Sequence, residues 1–260
     1  MLPDALANVK GFLLDLNGVL YVANRTLPGA REAIAALQKS GLPYRYATNN
    51  TTQSTQTMSQ SLKAMDLPIE PAEIVSASYA AVLHLRQMEN PILYPLLTED
   101  TKQDFAEFPM SETAANIVVL GDMGDNFSYP LLNRAFRLMM QGAQLIALHR
   151  GKFWQWEAGL QLDVGAFVTG LEYATDQTAI VAGKPEAFFF KQAIAELNLP
   201  NDQVAMVGDD IEADVGGVQA IGGKGVLVKT GKYRSHLTAK VAIQADVEVA
   251  GIGAIVDWFT

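Results

Sequence analysis

Two hydrophobic periods alternate along this chain. Gly11–Asp15 (GFLLD) is a compact apolar run that ends in an acid. Pro28–Lys39 follows with Ala30, Ala33, Ile34 and Leu37 at i, i+3, i+4 and i+7, which predicts a helix with Pro28 suited to its first turn. Leu42–Ala47 reads as the next strand and Gln53–Met65 as the next helix. Ile117–Leu120, Gln144–Leu148, Ala179–Ala182, Val204–Val207 and Gly225–Val228 read as further strands. Pro130–Gln141, Gly165–Ala174, Glu186–Leu197 and Ile211–Ile221 read as the helices between them. Strands alternating with helices predict an α/β fold built on a doubly wound parallel sheet. Such sheets bind ligands beyond the carboxyl ends of their strands, so the residues just after each strand are where chemistry is sought.

Four strand ends carry reactive groups. The first strand runs into Asp15-Leu16-Asn17-Gly18, and the second into Thr48-Asn49-Asn50. Gly183-Lys184-Pro185 and Gly208-Asp209-Asp210-Ile211-Glu212-Ala213-Asp214 come later. Each group taken singly has an ordinary reading, since Asp and Thr at such positions form turns and cap helices. Together they supply an acid, a hydroxyl, a lysine and an acidic group on one sheet edge. That set suits phosphoryl transfer through a covalent aspartyl phosphate. A carboxylate nucleophile needs the phosphate charge neutralised, and Mg²⁺ with oxygen ligands such as Asp15 and Asp209 would do it. A hydroxyl and backbone N–H groups can bind the equatorial oxygens, and a lysine can stabilise the charge around them. Asp214 could support the metal's water or orient Lys184. Asp210 either joins the metal site or caps the helix that follows.

In this order, the four segments resemble those of the haloacid-dehalogenase-like (HAD) superfamily of phosphatases. The resemblance covers nearly the whole chain. Within it, GDMGDNFSYPLLNRAF at 121–136, LDVGAFVTGLEYA at 162–174, VGDDIEADVGG at 207–217 and VKTGKYR at 228–234 resemble the phospholysine phosphohistidine inorganic pyrophosphate phosphatase subgroup and its relatives. The resemblance implies a Rossmann-like core, residues 1–77 and 180–260, with an inserted α/β cap domain at 78–179. It implies Asp15 as nucleophile, with Asp15, the main chain of Asn17, and Asp209 as Mg²⁺ ligands. Thr48, Asn49 and Lys184 would bind the phosphoryl group, with Asp210 and Asp214 in support. It also implies a homodimer. In the cap, Lys152, Trp154 and Trp156 are either a packed interface group or substrate contacts.

One position departs from the pattern. Most phosphatases of that superfamily carry Asp where this chain has Asn17, and use it to protonate the leaving group. The amide keeps a backbone carbonyl for the metal but cannot titrate, and general acid–base help is worth about 10²–10⁴-fold. The subgroup it resembles also lacks Asp there. The expectation is an enzyme favouring good leaving groups, such as pyrophosphate, phosphoramidates and aryl phosphates. The alternatives are a phospho-ligand binding protein that has lost turnover, and a phosphorylated switch. The long stretch between Thr48 and Lys184 argues against the switch.

Composition narrows the partners. The 260 residues include 19 Lys+Arg and 28 Asp+Glu, a net charge of −9, and no Cys. Thiolate metal sites and a Cys nucleophile are excluded. The acidic balance disfavours nucleic acid, which is bound through Lys and Arg. No apolar run reaches the ~18 residues of a membrane span. The first residues, MLPDALANVKGFLLD, lack a signal-peptide pattern, so a cytoplasmic protein acting on a small phosphorylated substrate is expected. His84, His149 and His236 show no metal-ligand spacing.

Overall fold

A computed structural model describes residues 2–156 and 159–259. The chain divides into two compact units. The first comprises Met1–Thr48, Met58–Val75 and Lys184–Thr260, and the second Asn49–Thr57 and Ser76–Gly183. The fold is the expected α/β one.

The first unit is built on a six-stranded sheet in the order Val247–Val249, Lys224–Val228, Val204–Gly208, Gly11–Leu14, Tyr44–Thr48 and Ile74–Ser76. Gly11–Leu14 pairs in parallel with Val204–Gly208 on one side and Tyr44–Thr48 on the other. The chain direction across the sheet therefore reverses beside Gly11–Leu14, which is where doubly wound sheets open a crevice. Both central strands are buried along their whole length, as strands covered on both faces must be. Phe12, Leu14, Tyr46, Ala205, Val207 and Val228 share one core with Ile34 and Leu37 of the helix Ala30–Ser40. Phe259 closes that core, edge-on to Phe12 with ring centroids 5.1 Å apart. The alternate positions Leu13, Met206 and Leu227 are equally buried and by the strand's period face the other way. The helix Ala187–Ala195 buries Phe189 and Phe190, which meet edge to face.

The second unit has its own parallel sheet, ordered Ile180–Val181, Gln144–Ala147, Ile117–Leu120 and Leu93–Leu96. The helices Tyr129–Met140 and Gly165–Thr175 supply Leu138, Met139, Val168 and Leu171 to its core. An antiparallel hairpin, Phe153–Trp156 with Gly159–Leu162, follows the third strand in sequence. The segment Asn49–Thr57 joins this unit through hydrogen bonds. Thr101 Oγ1 donates to Thr51 O (2.9 Å), and Ser54 N and Thr57 Oγ1 donate to the Asp100 carboxylate (both 2.8 Å). Thr55 N donates to Asp104 (3.0 Å).

The structure departs from the periodicity in several places. Leu93–Leu96 was hidden by Pro95, which cannot donate to a ladder and is tolerated here because the strand lies at a sheet edge. Ile74–Ser76 and Val247–Val249 are short edge strands with too few residues to show a period. The helix expected over 211–221 is instead a π-helical turn, Ile211–Gly216, followed by Gly217–Gln219. Asp210 caps that turn at the N–H groups of Glu212 (3.1 Å) and Ala213 (2.9 Å). No helix among the described residues is long and apolar enough to cross a membrane.

A packing test follows from Phe190, which is fully buried and lies against the space above Gly217. Phe190→Ala is expected to lower unfolding free energy by about 3–5 kcal/mol, read as the shift in a urea midpoint.

Candidate active site

The first unit brings Asp15, Lys184, Asp209 and Asp214 together at the point where the sheet order reverses. Asp15 follows the strand Gly11–Leu14, and its N–H donates to Val207 O (2.9 Å), continuing the ladder. Asp209 follows the neighbouring strand Val204–Gly208. Asp214 sits in the π-helical turn, whose extra residue per turn re-aims a side chain relative to an ordinary helix. All three carboxylates are buried, and each offers an oxygen within 4.8 Å of the others.

Lys184 holds this acidic group together. Its Nζ donates to Asp15 Oδ1 (2.8 Å), Asp214 Oδ1 (2.6 Å) and Ala47 O (3.2 Å), in a tripod that matches the three donors of an ammonium. Burial by itself would lower the pKa of Lys184. The charges of Asp15 and Asp214 outweigh it and hold the group above the usual lysine range. Burial pushes Asp214 above the usual carboxylate range, Lys184 pulls it back, and Asp15 adds to the rise. Asp214 Oδ2 accepts the N–H of Asp210 (3.1 Å), so both of its oxygens are engaged by the chain.

Asp209 is in a different position. Its Oδ2 accepts the N–H of Lys232 (2.6 Å), while Oδ1 is buried with no hydrogen-bond partner. Burial and the charge of Asp15 push its pKa well up. Two glycines crowd this carboxylate. A Cβ on Gly18 would stand 1.9 Å from Asp209 Oδ2, and one on Gly231 2.0 Å from it. Both glycines have positive φ, +94° and +55°, which glycine adopts at little cost. Thr230 Oγ1 donates to Gly18 O (2.6 Å) and ties the two loops together.

This arrangement fits a hard divalent cation. The donors are carboxylate oxygens, they repel one another when ionised, and a buried oxygen of Asp209 lacks a proton donor. Asp15 and Asp209 could hold such an ion. Asp214 is bound to Lys184 and the Asp210 main chain, which leaves neither of its oxygens free of a donor.

The other expected positions divide. Thr48 ends the strand next to Asp15 and is buried; Ala47, the residue before it, receives Lys184. Asn17 is exposed and bridges to Tyr21. Asn49 belongs to the second unit, where a Cβ on Gly183 would meet its Oδ1 at 2.8 Å. Asp210 takes the capping role of its two open readings. Lys152 is exposed, and the side chains of Trp154 and Trp156 lie outside the described residues. His149 lies in the second unit with its Nε2 3.5 Å from Asp163 Oδ1. Sequence reasoning missed Tyr21, whose hydroxyl is pushed up to about 12 by burial and by the charge of Asp15. It also missed Thr230, Gly231 and Lys232. Their segment, VKTGKYR, was visible as a motif without a chemical assignment.

The chain as a whole is similar to known sequences. Residues 12–110 match the haloacid dehalogenase-like hydrolase model, and residues 181–253 match a second, HAD-hydrolase-like model. The haloacid dehalogenase-like hydrolase domain-containing protein 2 of Mus musculus is 40% identical over 234 residues, 90% of this chain and 89% of that protein. The chain belongs to the haloacid dehalogenase-like hydrolases. It is therefore an enzyme of that family, as the motifs implied. This hydrolase is also 38% identical to the phospholysine phosphohistidine inorganic pyrophosphate phosphatase of Danio rerio, over 98% of this chain and 95% of that one. Its fold is similar to that of the 4-nitrophenylphosphatase from Thermotoga maritima, with a TM-score of 0.91 over 99% of this chain and 100% of that chain, at 23% identity.

The Lys184 tripod yields a stability test. Lys184→Met removes the cation from two buried carboxylates and is expected to cost about 3–5 kcal/mol. Without the lysine, the folded-state pKa of Asp214 rises further above its unfolded value. The folded state then binds protons more tightly than the unfolded one, so the variant should lose stability as pH rises from 5 to 8. Urea midpoints of wild type and variant across that range provide the check.

Proposed function

We propose that this hydrolase is a divalent-cation-dependent phosphatase, working with Mg²⁺, in which Asp15 attacks phosphorus. The observation that carries the reading is the Lys184 tripod between Asp15 and Asp214, set beside the unpartnered oxygen of Asp209. The ion, when bound at Asp15, Asp209 and the main chain of Asn17, supplies the positive charge that lets an anionic phosphoryl group approach a carboxylate.

The chain's own residues do the rest. Lys184 holds Asp15 Oδ1 and fixes the orientation of the nucleophile, while Asp214 fixes the lysine. An Asp15 oxygen forms a bond to phosphorus as the bond to the leaving group breaks. Thr48 and Asn49 bind the phosphoryl oxygens, and Lys184, whose donors are taken by Asp15, Asp214 and Ala47 O, stabilises them through its charge. Water then attacks the phosphorus of the aspartyl phosphate, releasing inorganic phosphate and restoring the Asp15 carboxylate. Asn17 cannot hand a proton to the leaving group, which favours substrates whose leaving group departs unaided, such as pyrophosphate, phosphoramidates and aryl phosphates. The phosphatase named among the relatives and the nitrophenylphosphatase fold support this choice.

The same reading takes residues 1–77 and 180–260 as the catalytic core and 78–179 as the inserted cap. It takes the protein as a cytoplasmic homodimer acting on small phosphorylated compounds. A second reading, a phospho-ligand binder without turnover, rests on the amide at Asn17.

Two experiments test the proposal. Hydrolysis of 4-nitrophenyl phosphate should require Mg²⁺, stop with EDTA, and fall by about 10³-fold or more in Asp15→Asn. Residual turnover near the wild-type rate in that variant would remove Asp15 as nucleophile, and an inert wild type would favour the binder. Separately, Asn17→Asp should raise kcat/KM for an alkyl phosphate by about 10²-fold more than for an aryl phosphate. Equal gains on both would refute the leaving-group argument.

A further inference from the structure

The loop Thr230–Lys232 lies against the carboxylate group, and its main chain and side chain do different work. The main chain is committed. Lys232 N donates to Asp209 Oδ2 (2.6 Å), and Thr230 Oγ1 donates to Gly18 O (2.6 Å). Gly231 is pressed so closely that a Cβ there would stand 2.4 Å from Gly18 Cα. The Lys232 side chain is not held in this way. It is 72% exposed, and its Nζ lies 3.5 Å from Asp210 Oδ2, longer than an N–H···O hydrogen bond.

Among the described residues, three other cations near this loop have partners. Lys184 directs donors to Asp15, Asp214 and Ala47 O. Arg234 Nη1 donates to the carbonyls of Gly231 (2.9 Å) and Tyr233 (2.7 Å), so it closes the loop on itself. Lys229 Nζ pairs with Glu248 (2.9 Å). Lys232 thus presents an exposed ammonium beside the acidic group, 3.5 Å from Asp210 Oδ2. Some desolvation of the head group works against its charge. Asp210, Asp15, Asp209 and Asp214 outweigh that and keep it above the usual lysine range.

We propose that the Lys232 ammonium is a specificity determinant that binds a second anionic group on the substrate, beyond the phosphoryl group that reacts. The substrate class this selects is a diphosphate or a phosphate ester with a nearby second anion. The reasoning is electrostatic. Four carboxylates line this edge, and an anion held there without a cation of its own would be repelled. An exposed ammonium on a loop whose backbone is anchored to Asp209 supplies that cation at a set place. Asp210 Oδ1 is anchored by the N–H groups of Glu212 and Ala213, and its Oδ2 faces the lysine across 3.5 Å.

The inference rests on the phosphatase reading, and the test separates the two. Because the contact to Asp209 is made by the main chain, Lys232→Gln removes the ammonium and leaves the anchoring N–H in place. The experiment measures kcat/KM for inorganic pyrophosphate and for 4-nitrophenyl phosphate, with Mg²⁺, in wild type, Lys232→Gln and Lys232→Arg. The ratio of pyrophosphate to 4-nitrophenyl phosphate should fall about tenfold or more in Lys232→Gln, chiefly through KM, and recover largely in Lys232→Arg. An unmoved ratio overturns the proposal, as does a parallel loss on both substrates, which would make the side chain structural. If the wild type hydrolyses neither substrate, the phosphatase reading fails. Calorimetric titration with pyrophosphate then decides on Lys232, with at least tenfold weaker binding in Lys232→Gln supporting it and equal binding overturning it.

Discussion

A single ammonium, that of Lys184, makes the centre of the first unit possible. Three carboxylates buried within a few ångströms of one another would not stay ionised in a folded chain without a compensating charge. Lys184 reaches that centre from the loop after Gly183, far along the sequence from Asp15, and meets Asp15, Asp214 and the backbone of Ala47 at once. It therefore links three of the elements that the sheet brings side by side. The reversal of strand order beside Gly11–Leu14 is what lets residues from such distant parts of the chain converge.

The compensation is incomplete, and the shortfall has a location. Lys184 serves Asp15 and Asp214, while Asp209 has a buried oxygen without a partner. A buried carboxylate oxygen without a partner is a site for a ligand or a store of strain. Here the chemistry of the neighbouring donors favours the ligand. The loops that carry Gly18 and Gly231 crowd the same carboxylate, so backbone rather than side chains forms the wall around it.

Much of this was legible in the residues. The strand-end positions of Asp15, Thr48, Lys184 and Asp209 follow from apolar runs that stop at a polar residue, and the central strands are long enough and apolar enough to declare themselves. The edges were not legible. Pro95 broke the pattern of Leu93–Leu96, and Val247–Val249 is too short to carry a period. The π-helical turn at Ile211–Gly216 was hidden because its pattern of apolar residues resembles a helix. In that turn Asp210 Oδ1 accepts the N–H groups of Glu212 and Ala213, and Asp214 Oδ2 accepts that of Asp210. Lys232 was missed for a related reason: its approach to Asp209 depends on the close passage of two glycines from distant loops.

The unpartnered oxygen of Asp209 ties the endurance of the fold to its surroundings. A cation that binds the native chain and not the unfolded one shifts the folding equilibrium by mass action, adding about 1.4 kcal/mol for every tenfold excess over its dissociation constant. On the proposed reading, the folded population tracks divalent-ion supply even when no substrate is present. Depletion of the ion would then shorten the protein's lifetime as well as halt its chemistry.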